Sequence, residues 1–87
     1  MTDRYRPIGC EVYSGYEVAI MHRQRLRMHW RDVEGNDYLG TLSPLDLKTE
    51  PTKEEFLLVK DLAGRHFRIR LDRIISSEAV KLQKDVP

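Results

Sequence analysis

Residues 25–31, RLRMHWR, alternate without a break: Arg25, Arg27, His29 and Arg31 on one parity, Leu26, Met28 and Trp30 on the other. A second strict alternation, HFRIRL at 66–71, sets Phe67, Ile69 and Leu71 against His66, Arg68 and Arg70. A period of two is the side-chain repeat of a strand with one face in a core and one in water. The two segments commit the chain to a β-rich fold. They also predict burial of Leu26, Met28, Trp30, Phe67, Ile69 and Leu71, with the arginines and histidines outward.

The remaining pattern organises around these strands. Pro7 keeps the N-terminal arm extended. From Cys10 to Met21 the period lengthens, with Val12, Tyr13, Tyr16, Ala19 and Ile20 three or four apart, which predicts an amphipathic helix over about 10–21. Gly15 inside it costs roughly 1 kcal/mol relative to alanine. VEGND at 33–37 reads as a turn with Gly35 and Asn36 able to take positive φ, followed by a strand YLGTL in which Gly40 is a candidate bulge. Two prolines and many polar residues make 43–55 a long connection, with a short strand at Leu45–Lys48 as an option. FLLVKD at 56–61 is a strand, DLAGR a tight turn with Gly64 left-handed, and IISSEAV at 74–80 the last strand. One helix followed by about five short antiparallel strands predicts a strongly bent small barrel, which also removes exposed edges. SH3-like, Sm-like and OB-type barrels fit this outline, and a helix ahead of five strands favours the Sm-like order. The expected organisation is a single domain over 1–80 with a flexible tail at 81–87.

The chain has 87 residues, which fits one domain. A chain of this size buries about 60–65% of its unfolded surface, for a stability on the order of 5–10 kcal/mol. A single cysteine, Cys10, excludes an internal disulfide and fits a reducing compartment. No apolar run approaches the roughly 18–20 residues that span a bilayer, and MTDRYRPIGC shows no signal-peptide core. A cytoplasmic location is expected. The net charge is +1, but the charges come in blocks. Residues 21–31 hold four arginines and no acid, whereas 32–50 hold Asp32, Glu34, Asp37, Asp46 and Glu50 against Lys48 alone.

No constellation for catalysis is legible. His22, His29 and His66 show no metal-ligand spacing with Cys10, and there is no phosphate loop and no carboxylate pair. Cys10 reads as a small buried hydrophobe. No cofactor, metal or enzymatic activity is expected. Two surfaces remain. Arg25, Arg27, His29, Arg31, Arg68 and Arg70 form basic rows of the kind that hold nucleic-acid phosphates, but Trp30 and Phe67 lie on the opposite parity. Without a stacking platform, the rows read first as a solvated face, with direct nucleic-acid binding weak or absent. On the helix, Tyr13 and Glu17 are four apart and share a face near Glu11, a composition suited to a basic partner. The bland alternative is that Tyr13 is core and the glutamates favour the helix start.

The stretch YRPIGCEVYSGYEVA places Tyr5, Pro7, Ile8, Cys10, Tyr13, Glu17 and Ala19 at the spacing found at the start of the Rho-binding antiterminator (Rof, or YaeO) family. RLDRI at 70–74 resembles the RLDKI that closes that family's barrel. The resemblance runs from about Asp3 to Ser77. It implies an Sm-like barrel with an N-terminal helix, acting as a monomer that binds the RNA-binding domain of the transcription termination factor Rho and suppresses Rho-dependent termination. It places the contact at Glu11, Tyr13, Ser14 and Glu17, with Val12 and Ser14 standing where the best-known member has acids. It also implies that the basic strand faces away from Rho.

Overall fold

The computed structural model describes residues 4–80, and the tail expected at 81–87 lies outside the described residues. The order is α1 (Cys10–Met21), β1 (Leu26–Arg31), β2 (Asp37–Thr49), β3 (Glu55–Lys60), β4 (His66–Arg70), a short 3-10 turn (Leu71–Arg73) and β5 (Ile74–Ala79). Helix α1 starts at the Tyr13 N–H to Gly9 carbonyl bond of 3.1 Å, with Glu11 in the turn where the helix dipole favours an anion. It ends in a paired closure: Arg23 N–H donates to the Ile20 carbonyl and Gln24 N–H to the Ala19 carbonyl. Arg23 sits there at φ 54°, a position glycine usually fills. None of the described helices is long and apolar enough to cross a membrane.

The strands form one five-stranded antiparallel sheet in the order β4-β3-β2-β1-β5. The ladder is open, with β4 and β5 as its edges among the described residues. Segment 43–55, expected as a long connection, is mostly strand. β2 runs unbroken for 13 residues, pairing β1 with its first half and β3 with its second. Pro44 stands where one ladder gives way to the other, and the register slips between Pro44 and Asp46. A residue without an N–H is tolerated at such a bulge. Gly40 is not a bulge. It pairs Met28 in register, and it lies against the Trp30 ring, whose Cη2 is 3.7 Å from where a Cβ would sit, an ordinary contact distance.

Three hairpins share one geometry. In each, a residue with an acidic side chain exchanges backbone bonds with the residues three and four further on, and the residue three further on is left-handed: Asp32/Gly35/Asn36, Glu50/Lys53/Glu54 and Asp61/Gly64/Arg65. Asp32 Oδ1 accepts the N–H of Glu34 and Asn36, and Asp61 Oδ1 accepts those of Ala63 and Arg65. These bonds hold both carboxyls below their ordinary range, the bond from the closing residue contributing most. Glu50, one methylene longer, reaches out to Arg68 Nη1 at 2.8 Å instead.

Tyr16 and Ala19 of α1 are buried with Leu26, Met28, Leu42, Leu57, Val59, Ile69 and Leu71. Leu57 and Val59 are sealed at 0% exposure, each worth about 1.5–3 kcal/mol of burial. Helix α1 packs over β2 and leaves a groove along its β5 flank, so Val12 stays exposed. Cys10, expected as a buried hydrophobe, is exposed. Two inward assignments on the strands also need correction. Trp30 is only half-buried and Phe67 is 36% exposed, because the sealed part of the core ends before it reaches this rim. Arg70, expected outward, is 6% exposed beneath the N-terminal arm.

Candidate functional site

The helix face carrying Tyr13 and Glu17 packs beside β2. Tyr13, Glu17 and Ile20 meet Asp46 and Leu47 in a shallow groove of about 250 Å³. The Tyr13 phenol is half-buried, and its pKa is raised first by desolvation and then by Glu55, Glu17 and Asp46. Three elements, α1, β2 and β3, thus each place a carboxylate near one phenol. Glu55 is fixed in turn by the Tyr5 hydroxyl, which donates to Oε1 at 2.6 Å. That bond, after desolvation, raises the Tyr5 phenol strongly. Glu11 and Ser14 stand exposed on α1, outside this groove. What this arrangement offers is an aromatic ring in an anionic field, a receptor for a guanidinium or ammonium group.

The basic residues do not gather into one patch. β1 and β4 are separated in the ladder by β2 and β3. Arg31 Nε is bound to Asp37 Oδ1 at 2.6 Å, with His29 Nε2 3.5 Å from the same oxygen, and the Arg31 bond holds the Asp37 carboxyl low. Arg68 is paired with Glu50 and lies 4.1 Å over the Phe56 ring. Arg70 is bound to Asp72 and Glu54. Arg25 and Arg27 are exposed, and neither makes an ion pair among the described residues. Arg27 nonetheless stands beside Glu78 in the β1–β5 register.

No family model matches the chain. Among curated proteins it is 33% identical over 76 residues to Protein rof of Escherichia coli (strain K12), covering 87% of this chain and 83% of that protein. The chain belongs to the Rof family. Protein rof of Shigella flexneri matches to the same extent. A match of that length takes in helix and strands together. The two stretches that carry the Rof resemblance in the sequence now have separate places. Tyr13 and Glu17 line the acidic groove, whereas Arg70 and Asp72 of RLDRI form a buried ion pair beneath the arm.

Asp46 and Glu55 were not legible in the sequence as neighbours of Tyr13. Spacing along one helix finds Tyr13 and Glu17. Partners delivered by two strands leave no local signature, and Asp46 lay in a stretch that reads as a connection. The excess of acids over 32–50 was the one available signal.

Proposed function

We propose that this Rof-family protein binds the transcription termination factor Rho on its N-terminal RNA-binding domain and, by occupying it, keeps RNA from loading, so that Rho-dependent termination is suppressed. The observation that carries this reading is the groove in which Tyr13 and Glu17 of α1 meet Asp46 of β2, with Glu55 of β3 adding to the negative field at the phenol. A surface that holds RNA phosphates must be basic, and carboxylates presented to it gain charge-assisted hydrogen bonds. Val12 and Ser14 leave α1 with fewer acids than the family's best-known member, and Asp46 and Glu55 add negative charge from the sheet. Action is by occupancy, without bond making or breaking, so the protein is no enzyme and needs no cofactor. The protein acts in the cytoplasm as a monomer. Its sheet is the bent Sm-like barrel of the family. Helix-first strand order supports that fold, as does the 5.9 Å approach of the Trp30 and Phe67 rings from β1 and β4, strands with two others between them in the ladder.

Calorimetric titration of the full chain into Rho of the same organism, with displacement of labelled RNA as a second readout, tests this. Saturable binding that releases RNA is expected. Glu17→Lys is expected to lose on the order of 2–4 kcal/mol of binding, and Arg27→Glu to leave it unchanged or tighter. RNA that stays on Rho at saturating protein would sink the proposal. So would a Glu17→Lys protein that binds like the parent.

A further inference from the structure

Trp30, assigned by its parity to the core, stands instead in the middle of three partly exposed rings. Tyr38 stacks on it with centroids 5.7 Å apart and planes within 20°, and Phe67 approaches from β4 at 5.9 Å and 36°. These rings line a groove of about 800 Å³, walled by Thr41 of β2 and by Leu62 and Arg65 of the β3–β4 hairpin. Exposed apolar rings gathered in one groove with a polar rim are a candidate binding surface. The acidic face on α1 is lined by other residues.

We propose that this groove binds single-stranded nucleic acid, with bases stacked against the Trp30–Tyr38–Phe67 rings and a backbone phosphate held by Arg65. The near-parallel Trp30–Tyr38 pair suits a flat base better than a branched side chain, and stacking of this kind tolerates any base. Arg65 is largely exposed. It is tied to Asp61 through Nε alone, which leaves its two terminal nitrogens without a partner among the described residues. Asp61 is the acid among the groove's described lining, and its oxygens are already taken by the Ala63 and Arg65 amides and by Arg65 Nε. His66 also lines the groove, and the Thr41 hydroxyl offers both a donor and an acceptor to a base edge. The absence of a stacking platform was the ground for expecting little nucleic-acid binding, and the exposure of these rings removes it. The site differs from the basic rows read in the sequence: it uses one arginine, in a turn, and none of the six residues of those rows.

Trp30 is the chain's single tryptophan, so its emission reports on this groove. The full chain is titrated at low salt with octauridylate and with octathymidylate, against free tryptophan amide as the optical control. Saturable quenching by both is expected, since stacking does not read the sugar. Leu62→Glu sets a negative charge at an exposed turn position and is expected to weaken binding about tenfold with an unchanged thermal melt. Phe67→Ala is expected to weaken it by about tenfold or more. Should Phe67→Ala unfold, Leu62→Glu decides. Arg27→Glu, on the other parity of β1, is expected to stay within about twofold of the parent. The proposal is overturned if neither oligonucleotide quenches Trp30, or if Arg27→Glu abolishes binding while Leu62→Glu leaves it intact.

Discussion

Arg70 and Asp72 are joined by two parallel hydrogen bonds, Nε to Oδ1 at 2.7 Å and Nη2 to Oδ2 at 3.0 Å. The same Asp72 Oδ2 accepts the Arg6 backbone N–H at 2.9 Å, and Arg70 Nη1 donates to Glu54 Oε2 at 3.0 Å. The guanidinium lies 5.6 Å from the Tyr5 ring centroid. One arginine thereby ties the N-terminal arm, the β2–β3 hairpin and the 3-10 turn together. This stretch is one of the two that carry the sequence resemblance to the Rof family, and it holds the arm from which α1 departs.

Arg70→Met is expected to cost about 3–5 kcal/mol, because it strands Asp72 and Glu54 without their cation. Arg70→Lys keeps the charge but not the fork, and is expected to fall between parent and methionine variant. Urea unfolding measures both. A methionine variant as stable as the parent would show that the network contributes nothing net.

Arg23 and Lys53 hold left-handed conformations at φ 54° and 75°. Such a conformation costs a residue with a Cβ roughly 1–2 kcal/mol. Arg23→Gly and Lys53→Gly are each expected to gain about 1 kcal/mol, or about 4–8 °C in melting temperature. A lowered melting temperature in either would point to a contact of the lost side chain that outweighs the strain.

Asp32 and Asp61 cap their hairpins as carboxylates, and both pKa values are depressed by the backbone bonds they accept. A depressed folded pKa stabilises the protein above the unfolded value and loses that contribution as pH falls through the folded one. Stability is therefore expected to hold above the ordinary value of 3.8 and to decline below it. Asp32→Asn with Asp61→Asn is expected to flatten that decline, since the amide oxygen still accepts the turn bonds. Denaturation midpoints across pH 2–6 decide it, and an unchanged acid slope in the double variant would refute the assignment.

Asp46 separates the groove from the helix alone. Asp46→Lys is expected to weaken the proposed binding to Rho by on the order of 2 kcal/mol, with a thermal melt run beside it because Asp46 Oδ1 also accepts the Leu47 N–H at 2.8 Å. Glu11→Lys, outside the groove, is expected to cost less. Equal losses would mean that the contact is the exposed helix face as a whole.

Much of the fold was legible because local chemistry agreed with it. Periodicity gave α1 its bounds, alternation gave β1 and β4, and Gly35 and Gly64 marked two of the turns. The third turn was hidden because Lys53 stands where its counterparts have glycine, and Pro44 reads as a break unless the strand is known to bulge there. Alternation also says which way a side chain points, but not how far the core extends. That is why Leu26 and Met28 behave as expected while Phe67 on a rim does not. Likewise Arg70 has the parity of a solvated residue, and only the arm folding over it makes it interior. Of the site, the Tyr13–Glu17 pair was readable, and the strand-borne Asp46 and Glu55 were not.

The three matched turns bear on the order in which the molecule assembles. β1 through β4 are joined hairpin to hairpin, so each of their pairings closes a short loop and incurs little chain entropy. The β1–β5 pairing is different, since it must bring Leu26 beside Ala79. Pairings between near neighbours form fastest, which makes the four-strand meander the expected early structure and the docking of β5 the late one. Gln24 then latches that last strand, its side-chain amide donating to the Val80 carbonyl at 2.8 Å from the residue that closes α1. Helix end and final strand are thus expected to lock in one step, and to open together ahead of the meander when native-state hydrogen exchange is followed.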